Sequence, residues 1–474
     1  MSRIASRALG RRDFLRQTTA AVGVSALPWL APGIVFAADG PQLMAGEGVV
    51  DVTPPLGIEL AGFHRPPDKP RVATSIRQPS TVRALVLALG DVQAAIVSID
   101  MLGVSADFAR HVQAAVAEKT GIPANHVHIS ATHSHSMPTL KPLRQWGRVS
   151  PEYLAKVEAD TLRAVQMAKD DLAPAELLLG KARSEGGNFN RTRDAWKTDR
   201  DFDAASTDGE RWLDMTLTAL RFRRPGRQRD LLWYHYSAHP VCYADEAAGP
   251  DWPGIVATLM QQSHGMVPSF IQGNAGDVNP GIAKGFALAK AEPTADAIHK
   301  ALVAAVEAAQ PVAVDRLAVV ATHVDLPLDR ARLADQLARY RANPAECNQG
   351  EWVDAAFSAD WFAAAQKWDP SITTLRVPLA AMQLGPLGLL FHPSELYSYY
   401  GLAIRRGSPF QETLGIGYTD DFIGYIPDPE AFVAGEYAAL VVPKLVDLPP
   451  YSTEAGRVLT KAAIALLNQL GGKA

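Results

Sequence analysis

The feature that most constrains the fold is an alternation of apolar, β-branched runs with helical patterns along nearly the whole chain. Runs typical of strands lie at residues 82–89, 94–100, 126–132, 231–237, 269–272 and 387–391. Apolar residues at helical spacing predict helices at residues 107–119, 151–169, 254–263, 293–308 and 453–470. This alternation predicts an α/β fold in which mixed, partly parallel sheets are packed with helices.

The first 38 residues have the pattern of an export signal. Arg11 and Arg12 precede an apolar run at residues 18–30, and small residues follow at Ala37 and Ala38. Because the run is too short to span a membrane, residues 1–38 are predicted to be a twin-arginine signal peptide. The alternative is an amphipathic helix of the folded domain. No other run is long and apolar enough to span a bilayer, so no transmembrane segment is expected in the mature chain. A signal peptide then implies a periplasmic or secreted protein.

The remaining sequence has no linker, low-complexity stretch or repeat that would divide it. Residues 39–474 are therefore expected to form one large domain, either as a single body or with two sheet-bearing halves. Cys242 and Cys347 are the only cysteines, and the sequence leaves open whether they pair. The oligomeric state is left open as well.

The charge balance argues against a nucleic-acid partner. Residues 1–38 carry five arginines and one aspartate, a net charge of +4. The net charge of the whole sequence is −4, so the net charge of the remaining residues is −8. No basic patch remains that would indicate nucleic-acid binding.

Two histidines follow the predicted strand at residues 126–132. On a strand, the i, i+2 spacing of His133 and His135 would place both imidazoles on one face. Paired imidazoles at a strand end indicate Zn²⁺ first, and the alternative is a polar strand end without a ligand role. Asp100 ends a neighbouring strand and either caps the next helix or supports the site.

Further polar residues lie where strands run into loops, which is where α/β proteins place their sites. His239 closes an aromatic strand just before Pro240 and is a candidate ligand, whereas His235 lies deeper and is expected in the core. Arg191 is a candidate cation for anchoring a carbonyl group.

The loop at residues 272–280 is rich in small residues, which permit close approach of its backbone to a ligand. It presents Asn274, Asp277 and Asn279, although it can equally be an ordinary turn. Glu395 directly follows an apolar strand at the expected start of a helix, where it is either a metal ligand or a cap. Tyr425 and Tyr437 stand twelve residues apart.

Taken in this order, these motifs resemble the N-terminal catalytic domain of the neutral/alkaline (non-lysosomal) ceramidase family. The similarity is carried by the segments Val50 to Gly57, Leu60 to Phe63, Thr132 to Ser136, Asn190 and Arg191, His239 and Pro240, Gly276 to Val278, Pro393 to Glu395, and the two tyrosines. It therefore spans nearly the whole chain after residue 38.

The resemblance implies a site and a substrate. It implies a zinc ion held by His133, His239, Glu395 and Tyr425. It places His135, Arg191 and Tyr437 on the substrate side, around the scissile amide of a lipid such as an N-acylsphingosine.

Two departures from the family pattern bear on the activity. The family motif reads Gly-Asp-Val-Ser-Pro, and Asn279 occupies the position of its serine. An amide can orient a water or a carbonyl group, but it cannot act as a hydroxyl nucleophile. The family's ceramidases also carry a C-terminal immunoglobulin-like domain, which is not expected in residues 39–474.

The leading hypothesis is amide hydrolysis by a zinc-activated water. His135 would exchange a proton, and Arg191 and Tyr437 would stabilise an oxyanion. Asp277 or Asp100 would orient a ligand imidazole.

Two other functions remain open. The same zinc scaffold could cleave a different ester, lactone or amide, or the chain could be a periplasmic binding protein without catalysis.

Overall fold

In the part of the chain that the structure describes, the three larger sheets are mixed, and each contains one strand–helix–strand unit with parallel strands. The computed structural model describes residues 41–227, 229–282 and 288–471. The predicted signal peptide at residues 1–38 lies outside these described residues. From Pro41 onward the chain forms one unit.

The first sheet orders its strands as Val127–Ala131, Val92–Ile99, Thr81–Leu89, Met44–Asp51 and Ala173–Pro174. Its parallel pair, Val92–Ile99 and Val127–Ala131, is joined by helix Ala106–Thr120. Such a crossover is the usual connection between parallel neighbours. Helix Pro151–Asp170 packs against Met44–Asp51 on the antiparallel side.

The second sheet orders its strands as Ser269–Gln272, Leu231–Tyr236, Thr216–Arg223, Glu176–Arg183 and Gln310–Val312. Leu231–Tyr236 and Ser269–Gln272 are parallel and are joined by helix Trp252–His264. Helix Ala291–Glu307 packs beside that helix and against Glu176–Arg183.

The third sheet orders its strands as Leu317–Pro327, Thr374–Leu384, Leu387–Phe391 and Glu412–Ile416. Its parallel pair, Leu387–Phe391 and Glu412–Ile416, is joined by helix Ser398–Gly407. Helices Arg330–Ala342 and Ala355–Ala365 lie between its first two strands in the chain. Helix Ala455–Gly471 packs against those strands.

Short elements connect the sheets. Four small strand pairs are Ser75–Ile76 with Ala247–Ala248, Lys197–Thr198 with Trp212–Leu213, Asn188–Asn190 with Val278–Pro280, and Glu395–Leu396 with Tyr425–Ile426. The short helical segments are Ala124–His126, Asp199–Asp201, Pro344–Glu346, Gly350–Trp352, Pro429–Val433, Tyr437–Leu440 and Val442–Leu445.

One apolar core joins the sheets, because it contains Leu87 of the first, Trp233 of the second and Leu389 of the third. Trp233 is fully buried, and its indole N–H donates to the Glu47 carboxylate at 3.0 Å. Its single polar atom is therefore satisfied inside the core.

The predicted α/β fold is confirmed, and each predicted strand and helix is present with boundaries within two residues. Cys242 and Cys347 are both buried and free, so they do not form the disulfide that the sequence left open. No helix in the described ranges combines the length and the apolar character needed to cross a membrane.

Candidate metal centre

The candidate site lies at the carboxyl ends of parallel strands, where the loops of the three strand–helix–strand units begin. His133 follows Val127–Ala131 of the first sheet, His239 follows Leu231–Tyr236 of the second, and Glu395 follows Leu387–Phe391 of the third. In open α/β sheets this edge is where binding sites form. Each sheet therefore delivers one buried side chain to a common point.

His133 and His135 converge, although not for the reason that the sequence suggested. The strand ends at Ala131, and His133 lies in a loop with a φ of +66°. The Nε2 atoms of the two histidines are 3.3 Å apart, and their ring planes cross at 85°. The prediction that a strand face aligns them is wrong, because a sharp turn does so instead.

His239 and Glu395 complete the buried cluster. The Glu395 Oε2 atom lies 3.3 Å from His133 Nε2 and 3.2 Å from His239 Nε2. Glu395 does not cap a helix, since it belongs to the strand pair with Tyr425–Ile426 and the next helix begins at Ser398. Register pairs Glu395 directly with Tyr425.

The tautomers of the three histidines follow from their backbone partners. The Nδ1 atoms of His133, His135 and His239 face the carbonyl oxygens of Leu102, Gly62 and Val278 at 2.7, 3.0 and 2.9 Å. A carbonyl oxygen can only accept, so each Nδ1 carries the proton. In the neutral ring each Nε2 then presents a lone pair.

Three lone pairs and a carboxylate thus converge, which suits a cation. The donor atoms of the three histidines all lie within 4.8 Å of one another. Neutral imidazoles with the opposite nitrogen bonded to a carbonyl group are the form in which histidine ligates metals. The donor set of imidazoles and carboxylate matches the ligands that zinc prefers.

The electrostatics favour the protonation states that ligation needs. Burial lowers the pKa of His239 to about 4, and the charge of Arg191 adds to this effect. Burial also lowers the pKa of His135 well below its ordinary value.

Tyr425 and Arg191 form the adjoining wall. The Tyr425 hydroxyl lies 3.4 Å from His239 Nε2, and Arg191 Nη2 donates to that hydroxyl at 2.6 Å. Arg191 also donates to the Gly276 carbonyl at 2.8 Å and to Asn279 Oδ1 at 3.2 Å. Burial raises the pKa of the Tyr425 phenol, and Arg191 opposes this shift.

The loop at residues 272–280 approaches Glu395 closely. A side chain at Gly276 would place its Cβ 2.4 Å from the Glu395 carbonyl oxygen. Gly276 N–H donates to the Leu396 carbonyl at 3.0 Å. Only glycine permits this approach, which brings Asn279 to the site.

Tyr437 lies beyond Tyr425. The two rings meet edge to face, with centroids 6.3 Å apart. Burial raises the pKa of Tyr437, and a hydrogen bond from the Trp146 indole works in the opposite direction. Tyr437 is half-buried, so it borders the cluster rather than belonging to it.

The two aspartates expected to orient a ligand imidazole do not do so. Asp277 accepts from the Ser398 backbone N–H and hydroxyl and from Asn190 Nδ2, and Asp100 accepts from Thr81 and Thr132. Asp100 does not cap the helix either, because Ser105 does. Backbone carbonyl groups orient the imidazoles instead. These contacts could not be predicted from the sequence, because every residue has a backbone carbonyl group.

Two other sequence candidates lie away from the cluster. Asn274 Oδ1 bonds His392 at 2.9 Å, and the predicted core residue His235 is buried against the Gly415 carbonyl. Tyr418, which the sequence did not single out, packs its ring on His133 with centroids 4.4 Å apart. Its φ of +56° could not be foreseen from its residue type.

Comparison with known proteins identifies relatives of this fold. The family model for neutral/alkaline non-lysosomal ceramidase, N-terminal, matches residues 43–297, more than half of the chain. The crystal structure of neutral ceramidase from Pseudomonas aeruginosa has a TM-score of 0.70 at 17% sequence identity, over 91% of this chain and 75% of that one.

A structure of a ceramidase complexed with C2 gives a TM-score of 0.67 at 16% identity, again over 91% of this chain and 75% of that one. At these identities the similarity establishes a common fold. None of the curated proteins compared matches the chain in sequence.

Proposed function

Because the chain belongs to the neutral/alkaline non-lysosomal ceramidase family, as its motifs predicted, we propose that it is an exported, zinc-dependent amidohydrolase. Its substrate would be an N-acylsphingosine or a related lipid amide. Hydrolysis adds one water across the amide bond, so the C–N bond breaks and a fatty carboxylate and an amine are released. Export rests on the twin-arginine pattern at residues 1–38, and it would bring the enzyme to the periplasm or the medium.

The observation that carries the proposal is the approach of His133 and His239 to the Glu395 carboxylate, at 3.3 and 3.2 Å. Without a cation, two Nε2 lone pairs and a carboxylate would repel one another in a buried space. Tyr425 would complete the ligand set. A bound zinc ion supplies a Lewis acid and lowers the pKa of a coordinated water.

The remaining residues would act on the substrate. His135 is neutral and offers its Nε2 lone pair, so it can accept a proton there and return it to the leaving amine. Arg191 and Tyr437 can donate to the carbonyl oxygen as negative charge develops on it. Asn279, held by Arg191 through its Oδ1 atom, leaves its amide N–H groups to orient the carbonyl.

The test is release of fatty acid from a fluorescent ceramide, with zinc content measured on the same samples. We expect zinc-dependent release by the wild type, and joint loss of zinc and activity in His133→Ala and His239→Ala. His111→Ala, on an exposed helix face, should retain both. Normal zinc content in both ligand variants would overturn the assignment of the metal site.

A second candidate keeps the zinc centre but changes the bond that is cleaved to an ester, a lactone or another amide. Asn279 favours it, because this position offers no hydroxyl group. A substrate panel separates the two, since exclusive cleavage of ceramides would exclude the second candidate. Stoichiometric metal without turnover of any panel member would instead indicate a binding protein.

A further inference from the structure

A cleft of about 430 Å³ lies between the first sheet and helix Trp252–His264, and the proposed reaction does not use it. None of the eight residues assigned above to the metal and the substrate lines it. Its volume is within the range of small-molecule sites. Its nearest approach to the metal centre is Thr132, which directly precedes His133.

The cleft arises where one face of the first sheet changes from apolar to polar. Thr81, Arg83, Leu85 and Leu87 alternate along their strand and share a face. Leu85 and Leu87 lie in the core between the sheets, whereas Thr81 and Arg83 line the cleft. Arg83 is only partly buried, and its guanidinium nitrogens are not among the buried atoms without a partner, so they are accessible from the cleft.

The charged group in this cleft lacks a hydrogen-bonded partner. Among the residues that the structure describes, the Arg83 guanidinium makes no hydrogen bond and no ion pair. Burial raises the pKa of the nearby Asp100, and the charge of Arg83 works in the opposite direction. Asp100 is already satisfied, because it accepts from the Thr81 backbone N–H at 2.8 Å and from the Thr81 hydroxyl at 3.2 Å. Among the described residues, Arg83 and Asp100 are the only ionisable side chains that line the cleft.

The rest of the cleft is largely apolar or neutral. Its apolar wall is formed by Pro79, Pro250, Pro253, Ala257, Val267 and Phe270. The Ser98 hydroxyl donates to the Phe270 carbonyl at 2.5 Å, which ties the two sheets together beneath it. A ligand that fits would carry one anionic head and an apolar body.

We propose that this cleft is a second binding site, for a fatty-acid-like monoanion whose carboxylate pairs with Arg83. The apolar tail would lie along the proline-rich wall and helix Trp252–His264. The identity of the ligand as a fatty acid rests on the proposed function, because hydrolysis of a lipid amide releases one. The amphipathic anion itself follows from the lining of the cleft.

The test is calorimetric titration of the metal-loaded protein with decanoate, with decanol and decylamine as neutral and cationic counterparts. We expect decanoate to bind, decanol to bind more weakly and decylamine not to bind. Arg83→Gln removes the charge but keeps a polar side chain, and it should weaken decanoate binding by about tenfold or more. Ala257→Trp should fill the cleft and weaken binding of both decanoate and decanol.

Arg110→Gln is the matched control, because Arg110 is exposed on a helix outside the cleft and should leave binding unchanged. Far-UV circular dichroism and melting curves identify a variant that does not fold, in which case the other variant decides. Absence of decanoate binding, or equal binding by wild type, Arg83→Gln and Ala257→Trp, would overturn the proposal. The titration does not require turnover of a substrate. A negative result in the ceramide assay would therefore not affect the interpretation of decanoate binding.

Discussion

His133 adopts a left-handed backbone conformation that few residues other than glycine take up. This turn directs its Nδ1 to the Leu102 carbonyl and its Nε2 to Glu395. Strain of this kind persists only where surrounding contacts hold it, and here Tyr418 packs on the ring. The residues of the cluster could be proposed from the sequence, but this geometry could not, because it depends on the backbone.

Arg191 gives a prediction at the same scale. Its planar guanidinium reaches Asn279, Gly276 and Tyr425 together, which a lysine ammonium cannot do. We expect Arg191→Lys to lower kcat/KM for the fluorescent ceramide by about 100-fold, the usual effect of losing an oxyanion donor.

Arg193→Lys serves as the control for Arg191→Lys. Arg193 is half-exposed, and its single ion pair among the described residues, with the Glu430 carboxylate, is long at 3.7 Å. It should retain nearly full activity. If Arg191→Lys turned over substrate at the wild-type rate, the role of the guanidinium fork would be excluded.

At the level of elements, the sequence predicts the strands that are buried along most of their length. Strands such as Leu231–Tyr236 are buried throughout, so their apolar runs stand out. The antiparallel strand Leu317–Pro327 contains exposed residues in its middle, so its apolar pattern is interrupted and the sequence does not predict it. The two-residue strand Glu395–Leu396 is too short to leave any pattern, and it is set by its pairing with Tyr425–Ile426.

A buried ion network fixes the segment that carries Tyr425 and Tyr437. Arg211 bonds Asp428 and Glu436, and Glu436 also accepts from the Tyr397 hydroxyl at 2.9 Å. Arg211→Met would leave two carboxylates without their cation. We expect the free energy of unfolding, measured by urea denaturation, to fall by about 3–5 kcal/mol.

The comparison for this network is Arg457→Met, which removes a half-exposed pair with Asp208. Its cost should be below about 1 kcal/mol, because solvent screens such pairs. Similar losses in the two variants would show that burial of the Arg211 network contributes nothing specific.

For the whole molecule, buried histidines predict a loss of stability in mild acid. Burial lowers the pKa of His392 to about 3, and the ordinary value in an unfolded chain is about 6.5. Between these values unfolding takes up a proton, so stability falls as the pH falls. The slope should reach about 1.4 kcal/mol per pH unit for each such histidine.

This slope can be measured by urea denaturation of the chelator-treated protein between pH 7 and 5. His392→Gln should give a shallower dependence on pH, because it removes one of the protons taken up. His111→Gln, at an exposed position, should not change the slope. A slope that is the same in all three proteins would contradict the role of His392.

The candidate metal ligands are distributed over three sheets, which bears on when a complete metal site can form. His133 and His239 lie within the family-matched residues 43–297, whereas Glu395 and Tyr425 lie beyond them. A growing chain that has made only the first two sheets has histidines for the metal but no carboxylate beside them. If this cluster binds the proposed metal ion, the full ligand set would exist only after the third sheet has joined the other two, so we expect metal loading to be a late step in maturation.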